Sequence, residues 1–432
     1  MMRTVIRNIK TIVNVLKPGV GKNRFDDGDQ VEITTSGSGS SLAILASGGI
    51  ITEFGEEDSI MRKAVKTDEI IDCCGGCVIP GFVDAHTHPV WAGDRLDEFV
   101  QKLKGASYME IHETGGGINF TVSKTTEASE EDLYESLKKR IKMMVRKGTT
   151  TVECKSGYGL HWDVEKKLLR VLTRARTELP VDISITYLAA HSVPKNYNAE
   201  EFTNLIVSEQ IPKLEDSMGN GELHVDNVDV FCEKGVFDIS QTSRILDAGK
   251  RIGLNINFHA DELSALGGAE LAGHLGARAA SHLEEASPAG VAAMAASGTA
   301  AVLLPNTAHL LGLRPPPARA ILQAGVPLAL GTDFNPNAFC LSMPIVMYLA
   351  CTVLHITPDE ALVASTINSA YSLNLSEHVG AITIGRQADL VVLNCDRWEN
   401  IIYQLGEAES LITHVIKKGK LIYSQQSGFQ GL

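Results

Sequence analysis

The chain is poor in aromatic residues, which make up 6% of its 432 positions, and short of positive charge, with 39 Lys and Arg against 52 Asp and Glu. The formal charge of −13 and the sequence pI near 5.5 argue against nucleic acid or an anionic membrane as a partner, since either would want a basic patch. No apolar run approaches the roughly 20 residues of a membrane span. The first residues mix Arg3, Arg7 and Lys10 with Ile and Val, which reads as a strand and not as a secretory signal. Eight cysteines (Cys73, Cys74, Cys77, Cys154, Cys232, Cys340, Cys351 and Cys395) are scattered without a disulfide framework, so a reducing, cytoplasmic setting is expected. Cys74 and Cys77 have C-x-x-C spacing, but no second pair completes a structural zinc site. Hydrophobic content of 44% and charged content of 21% are those of an ordinary globular chain, long enough for a large core and more than one domain.

Punctuation divides the chain into three. Residues 1–78 contain short β-like pieces at Val5–Val15, Ser41–Leu45, Gly49–Phe54 and Ile70–Asp72, with a Gly/Ser/Asp-rich stretch from Lys17 to Ser40 expected to be a mobile loop. Residues 380–432 look like strands again: Ala388–Asn394, then a hairpin of 414–417 and 421–423 around Lys418-Gly419-Lys420. The two ends are expected to form one small composite β-sandwich domain. The middle, 79–379, alternates strand-like and helix-like segments, the signature of βα units and a parallel sheet. Eight candidate strands are Val78–Asp84, Thr149–Cys154, Asp182–Ala189, Val228–Cys232, Leu254–Phe258, Arg278–Ser281, Thr299–Leu304 and Pro327–Leu330. Helical patterns at Glu130–Lys147, Val164–Leu179 and Phe202–Leu214 separate some of them. The fold class is therefore α/β, a TIM-type (β/α)8 barrel carrying its chemistry at the C-terminal ends of its strands.

Those ends are rich in metal-binding and titratable groups. The first strand closes on His86-Thr87-His88, two imidazoles that point the same way because strand side chains repeat with period two. Glu153 and Lys155 close the second, His191 the third, His259 and Glu262 the fifth, His282 the sixth and Asp333 with Asn335 the eighth. Three imidazoles and a carboxylate suit one divalent ion, Zn2+ or iron as Fe2+/Fe3+, with an open position for water. His86, His88, His259 and Asp333 fit that set best. Water on such an ion acidifies towards a hydroxide nucleophile. Glu262, three residues past His259, is placed as general base. His282 is expected to orient the hydroxide or hold the reacting carbonyl, and Asp333 to take a proton as well as bind metal.

With PGFVDAHTHPVWAGDR (80–95), TTTVECKSGYGL (149–160), TYLAAHSVP (186–194), NFHADEL (257–263), SHLE (281–284) and LGTDFNPN (330–337) in view, the chain resembles the amidohydrolase superfamily and, within it, the imidazolonepropionases, from about residue 41 to 424. The resemblance implies a cytoplasmic homodimer acting on a small molecule, 4-imidazolone-5-propanoate, whose ring amide is hydrolysed to N-formimidoyl-L-glutamate in L-histidine degradation. It implies that Arg95 grips the propanoate carboxylate, that Tyr158 offers its hydroxyl, that His191 hydrogen-bonds and polarises the ring carbonyl, that Glu262 meets the substrate, and that Asn335 reaches the ring or tail. It also implies that Lys155 is not a bridging ligand, so a mononuclear site is expected. Where the family often has Gly and then a hydroxyl residue, this chain has Asn337-Ala338-Phe339, leaving backbone groups of Asn337 for that contact. The glycine-rich run Glu113–Ile118 is expected to be a lid and not a phosphate loop. Two rivals stand beside this reading: a zinc aminohydrolase of a purine or related ring, which shares the ligands but has no anionic tail to bind, and a scaffold that has lost its metal, which the full set of ligands opposes.

Overall fold

The computed structural model describes residues 3–15, 31–66, 68–105 and 117–430. Its first strands are β1 (Arg3–Asn14), β2 (Glu32–Thr35), β3 (Leu42–Ser47), β4 (Ile50–Glu56) and β5 (Glu69–Pro80). They join β14 (Leu390–Leu393), β15 (Ile412–Lys417), β16 (Lys420–Ser424) and β17 (Gly428–Phe429) in one nine-stranded mixed sheet ordered β17-β16-β15-β14-β5-β1-β3-β4, with β2 also on β1. The bond between the chain's two ends is the antiparallel pairing of β5 with β14, Val78 opposite Val392. Lys418 and Gly419, both at positive φ, turn the β15–β16 hairpin where the sequence expected it. Part of the stretch expected to be a mobile loop is instead strand β2; residues 17–30 lie outside the described ones.

The second sheet is parallel: β6 (Phe82–Asp84), β7 (Thr149–Lys155), β8 (Asp182–Ala190), β9 (Asn227–Cys232), β10 (Asn255–Ala260), β11 (Ala279–His282), β12 (Ala300–Leu303) and β13 (Leu328–Leu330), each paired with the next. Contacts of the first strand's end with the last strand's end close the ring: Asp333 N–H donates to His86 O at 3.0 Å, His88 N–H to Phe334 O at 2.9 Å, and Thr332 N–H to the side-chain Oδ1 of Asp84 at 2.9 Å. The (β/α)8 barrel is thus present, and its strands read as almost wholly buried runs, as a parallel sheet covered by helices requires.

One expected strand is two. The run 78–84 breaks at Gly81, so that Val78–Pro80 belong to the mixed sheet and Phe82–Asp84 to the barrel. Gly81 donates to Asp389 O at 2.9 Å and packs so close to Thr150 that a Cβ would stand 2.3 Å from its Oγ1; only glycine fits the crossing. Helices follow their apolar periodicity. Glu130–Arg146 buries Leu133, Leu137, Ile141 and Met144 on one face and starts at Ser129, whose hydroxyl accepts from Asp132 N–H. The segment expected as one helix over 202–214 is interrupted: Ala199–Leu205 and Ile211–Gly219 are α-helical, with a π-turn, Ile206–Gln210, between them. No helix among the described residues is long and apolar enough to cross a membrane.

Candidate metal centre and cavity

The C-terminal ends of the barrel strands bring His86, His88, His259 and Asp333 together in the interior, each at most 3% exposed. His88 Nε2 lies 3.3 Å from His86 Nε2 and 3.3 Å from His259 Nε2; Asp333 Oδ1 lies 3.6 Å from His86 Nε2 and 3.5 Å from His88 Nε2. Tetrahedral ligands about 2.0–2.1 Å from a zinc-like ion stand roughly 3.4 Å apart, so these separations match the edges of such a cage. The donors are also prepared for a cation. Asp333 Oδ1 is buried with no hydrogen-bond partner among the described residues, while Oδ2 accepts from Thr307 Oγ1 at 2.5 Å. His259 Nδ1 donates to Asp229 Oδ1 at 3.0 Å, which leaves the Nε2 lone pair facing the centre. His86 Nδ1 meets Ser281 Oγ at 2.9 Å. Burial, followed by neighbouring positive groups, holds His86 and His88 well below the ordinary imidazole range, hence neutral. The residues fit a single divalent ion.

Other imidazoles flank the four. His282 comes within 4.8 Å of His86 and His259, and His191 within 4.8 Å of His88 and His259. His191 Nδ1 lies 2.9 Å from Gly157 O. A carbonyl only accepts, so the proton is on Nδ1 and the neutral ring offers Nε2 as an acceptor; burial pushes its pKa down to about 3. In that tautomer Nε2 has no proton to give to a ring carbonyl. His282 Nε2 lies 3.6 Å from Glu262 Oε2 and its Nδ1 3.8 Å from Glu284 Oε2. Burial, with the charges of Glu284, Asp333 and Glu233, pushes the Glu262 carboxyl well above the usual range. Several of these positions occupy left-handed backbone: His282 (φ +77°), Leu283 (φ +69°), Asp261 (φ +50°) and Asp333 (φ +48°). Strain of this kind persists where surrounding structure over-determines it, and it clusters at functional sites. Asp261 shows how: its carboxylate accepts from the N–H groups of Leu266, Gly267, Gly268 and Ala269 at 2.8–3.0 Å, fixing the turn beside Glu262.

A cavity of about 300 Å³ opens on this centre, and its walls include His88, His259, His282, Glu262, Asp333, Tyr158, His191, Arg95, Asn335 and Asn337. All the residues expected as metal ligands, catalytic groups or substrate contacts, apart from the fully buried His86, therefore line one space, while Glu153 and Lys155 lie outside its wall. Arg95, Asn335 and Asn337 are engaged with protein partners as well. Arg95 forks the carboxylate of Glu98 through Nε (2.7 Å) and Nη2, and Glu98 also accepts from Gly117 N–H at 3.0 Å. Two of the five guanidinium donors are used in this way. Asn335 Nδ2 donates to Asp333 O at 2.8 Å, and its Oδ1 accepts from the N–H groups of Asn337 (2.7 Å) and Ala338 (3.0 Å). The side chain expected to reach a ligand thus shapes its own loop, and the Asn337 N–H expected to serve a ligand is spent on it. Residues 113–116 of the expected lid lie outside the described residues; Ile118 begins a helix, Ile118–Glu127.

Sequence reasoning passed over Asp229, which holds His259, and the buried pair it makes with Lys155. Lys155 Nζ lies 2.8 Å from Asp229 Oδ2 and 2.7 Å from Glu153 Oε1. Burial lowers its pKa, but the two carboxylates more than compensate and the ammonium is kept, with no lone pair to bridge metals. The available signal was a lone carboxylate inside the apolar strand Val228–Cys232.

The profile of the amidohydrolase family matches residues 77–422, and the chain belongs to that family. It is 52% identical, over 97% of its length and 98% of the relative's, to a Homo sapiens protein named probable imidazolonepropionase. A Nematostella vectensis protein of the same name is 48% identical over 99% of this chain and all of that one. Among solved structures, E. coli guanine deaminase superposes with a TM-score of 0.71 at 17% identity, covering 98% of this chain and 100% of that one; a likeness at this level shows the fold alone.

Proposed function

We propose that this protein hydrolyses the ring amide of 4-imidazolone-5-propanoate to N-formimidoyl-L-glutamate, the imidazolonepropionase step of histidine degradation, as a cytoplasmic homodimer. The observation that carries the reading is identity near 50% over almost the whole chain to proteins bearing that name. The cavity supports it: one space is lined both by the His88–His259–Asp333 group and by Arg95.

His86, His88, His259 and Asp333 would hold one divalent ion, Zn2+ or iron; when bound, it supplies Lewis acidity and lowers the pKa of water. Arg95, turned by Glu98, directs its remaining donors to the propanoate. Tyr158 offers its hydroxyl, and His191 accepts a ring N–H. Glu262 accepts a proton from the attacking water and delivers it to the ring nitrogen as the C–N bond breaks. His282, within reach of Glu262 Oε2, steadies that carboxylate and the oxygen that develops charge. Asp333, held by Thr307, is a second proton acceptor.

The test is the substrate tail. Arg95→Ala is expected to cost about 1.5–3 kcal/mol in kcat/KM towards the acid substrate and little towards an analogue lacking the carboxylate. Equal losses for both, or ammonia released from a purine by the unaltered protein, would move the assignment to a deaminase.

A further inference from the structure

The turn that carries Tyr158 into the cavity is held from behind by a carboxylate outside the cavity wall. Glu165 lies in the first turn of the helix Trp162–Glu178 and is 0% exposed. Its Oε1 accepts from the N–H groups of Gly159 (2.8 Å), Leu160 (3.0 Å) and Gly157 (3.1 Å), and Gly157 N–H also stands 3.3 Å from Oε2. A buried carboxylate survives only where donors replace its water, and here one short stretch of main chain supplies three.

The opposite face of the same turn is held too. Gln210, the last residue of the π-turn, donates Nε2–H to Leu160 O at 3.0 Å, while its Oε1 accepts from Tyr187 OH at 2.9 Å. Leu160 sits at φ +61°, costly for a leucine. Glu165 on its N–H and Gln210 on its C=O together fix that conformation. Single π-turns within α-helices recur at functional sites.

The turn makes two deliveries. Tyr158 reaches the cavity, and Gly157 O receives His191 Nδ1. Gly157, at φ +95°, packs so that a Cβ would stand 3.0 Å from His191 Nδ1, so the imidazole rests directly on this backbone.

We infer that Glu165 is the positioning residue that sets Tyr158 and His191 towards the substrate, with Gln210 as its counterpart on the Leu160 carbonyl. The inference rests on the proposed reading in which those two side chains meet the substrate. Neither Glu165 nor Gln210 touches the reacting atoms.

The test uses the metal-loaded full chain. In Glu165→Ala, the amides of Gly157, Gly159 and Leu160 are expected to exchange hydrogen faster, with metal content unchanged. The loss in kcat/KM is expected to be roughly ten- to hundredfold, the scale of an ångström-level misplacement. Placed in a Tyr158→Phe background, the same change should cost far less than in the unaltered protein; in an Arg95→Ala background it should cost its full amount. A general structural defect would add to both alike. Additivity with Tyr158→Phe, or unchanged exchange over 156–161, overturns the inference. If Glu165→Ala does not fold, Gln210→Met, which removes the hydrogen bonds to Leu160 O and from Tyr187 OH at similar volume, is read by the same cycle and the same exchange measurement. If the unaltered protein fails to open the imidazolone ring, the functional reading falls; the exchange arm, and the cycle on whichever substrate is turned over, still decide the role of Glu165.

Discussion

Lys155 and Lys417 are both buried, and each lies between two carboxylates at almost identical distances. Lys155 Nζ meets Glu153 and Asp229 at 2.7 and 2.8 Å; Lys417 Nζ meets Asp182 and Asp389 at 2.7 Å each. They stand at opposite ends of the barrel. Lys417 belongs to the mixed sheet, and Asp182 opens β8, so this cluster ties the small sheet to the N-terminal face. Its carboxylates also hold Lys418, through Nζ and N–H. At the other end, Glu153 also takes Thr87 N–H, and Asp229 also takes His259 Nδ1–H. The same ionic motif is a weld at one face and a bracket for the metal group at the other. What else the carboxylates grip decides which.

The contrast is broken most severely by removing the group the bracket serves. His259→Ala or Asp333→Ala is expected to abolish activity and to strip the single ion per chain, as read by elemental analysis; full occupancy in either variant would refute the ligand set. Glu262→Gln should come next, keeping the ion while the rate falls by a factor on the order of 10²–10⁴. Turnover near that of the unaltered protein would place the base elsewhere. Asp229→Asn should then separate the two faces: it leaves His259 in place but weakens its hold, with an expected loss of about 10–100-fold in metal affinity or activity. Lys417→Met should do the reverse. Breaking one partner of a buried pair costs about 3–5 kcal/mol of stability, visible as a lowered Tm, while activity per folded molecule stays unchanged. A Lys417→Met protein with normal Tm but impaired catalysis would erase the distinction.

Much of this was legible because βα repetition and apolar runs are local signals. Seven of the eight barrel strands and the hairpin at Lys418-Gly419 stand close to their expected bounds, and the residues proposed to hold the ion lie at strand ends. The misplacements have physical causes. The run 78–84 reads as one strand because its hydrophobicity is unbroken; only the contact between Gly81 and Thr150, 69 residues away in sequence, divides it. The π-turn at Ile206–Gln210 has no periodicity of its own. Asp229 was missed because a carboxylate inside a strand reveals its task only when β10 is laid beside β9 and His259 N–H and Nδ1–H both reach it. Asn335 and Arg95 were recognisable as residues of the cavity, but their existing partners, Asp333 O and Glu98, are visible only in three dimensions.

The central claim is that water opens the ring at its carbonyl carbon. Turnover of 4-imidazolone-5-propanoate in ¹⁸O-labelled water tests it most directly. The expected product is N-formimidoyl-L-glutamate with the label in the new α-carboxylate and no ammonia released; label on a formyl carbon, which would mark attack at the carbon between the two ring nitrogens, or an unopened ring, would contradict the account.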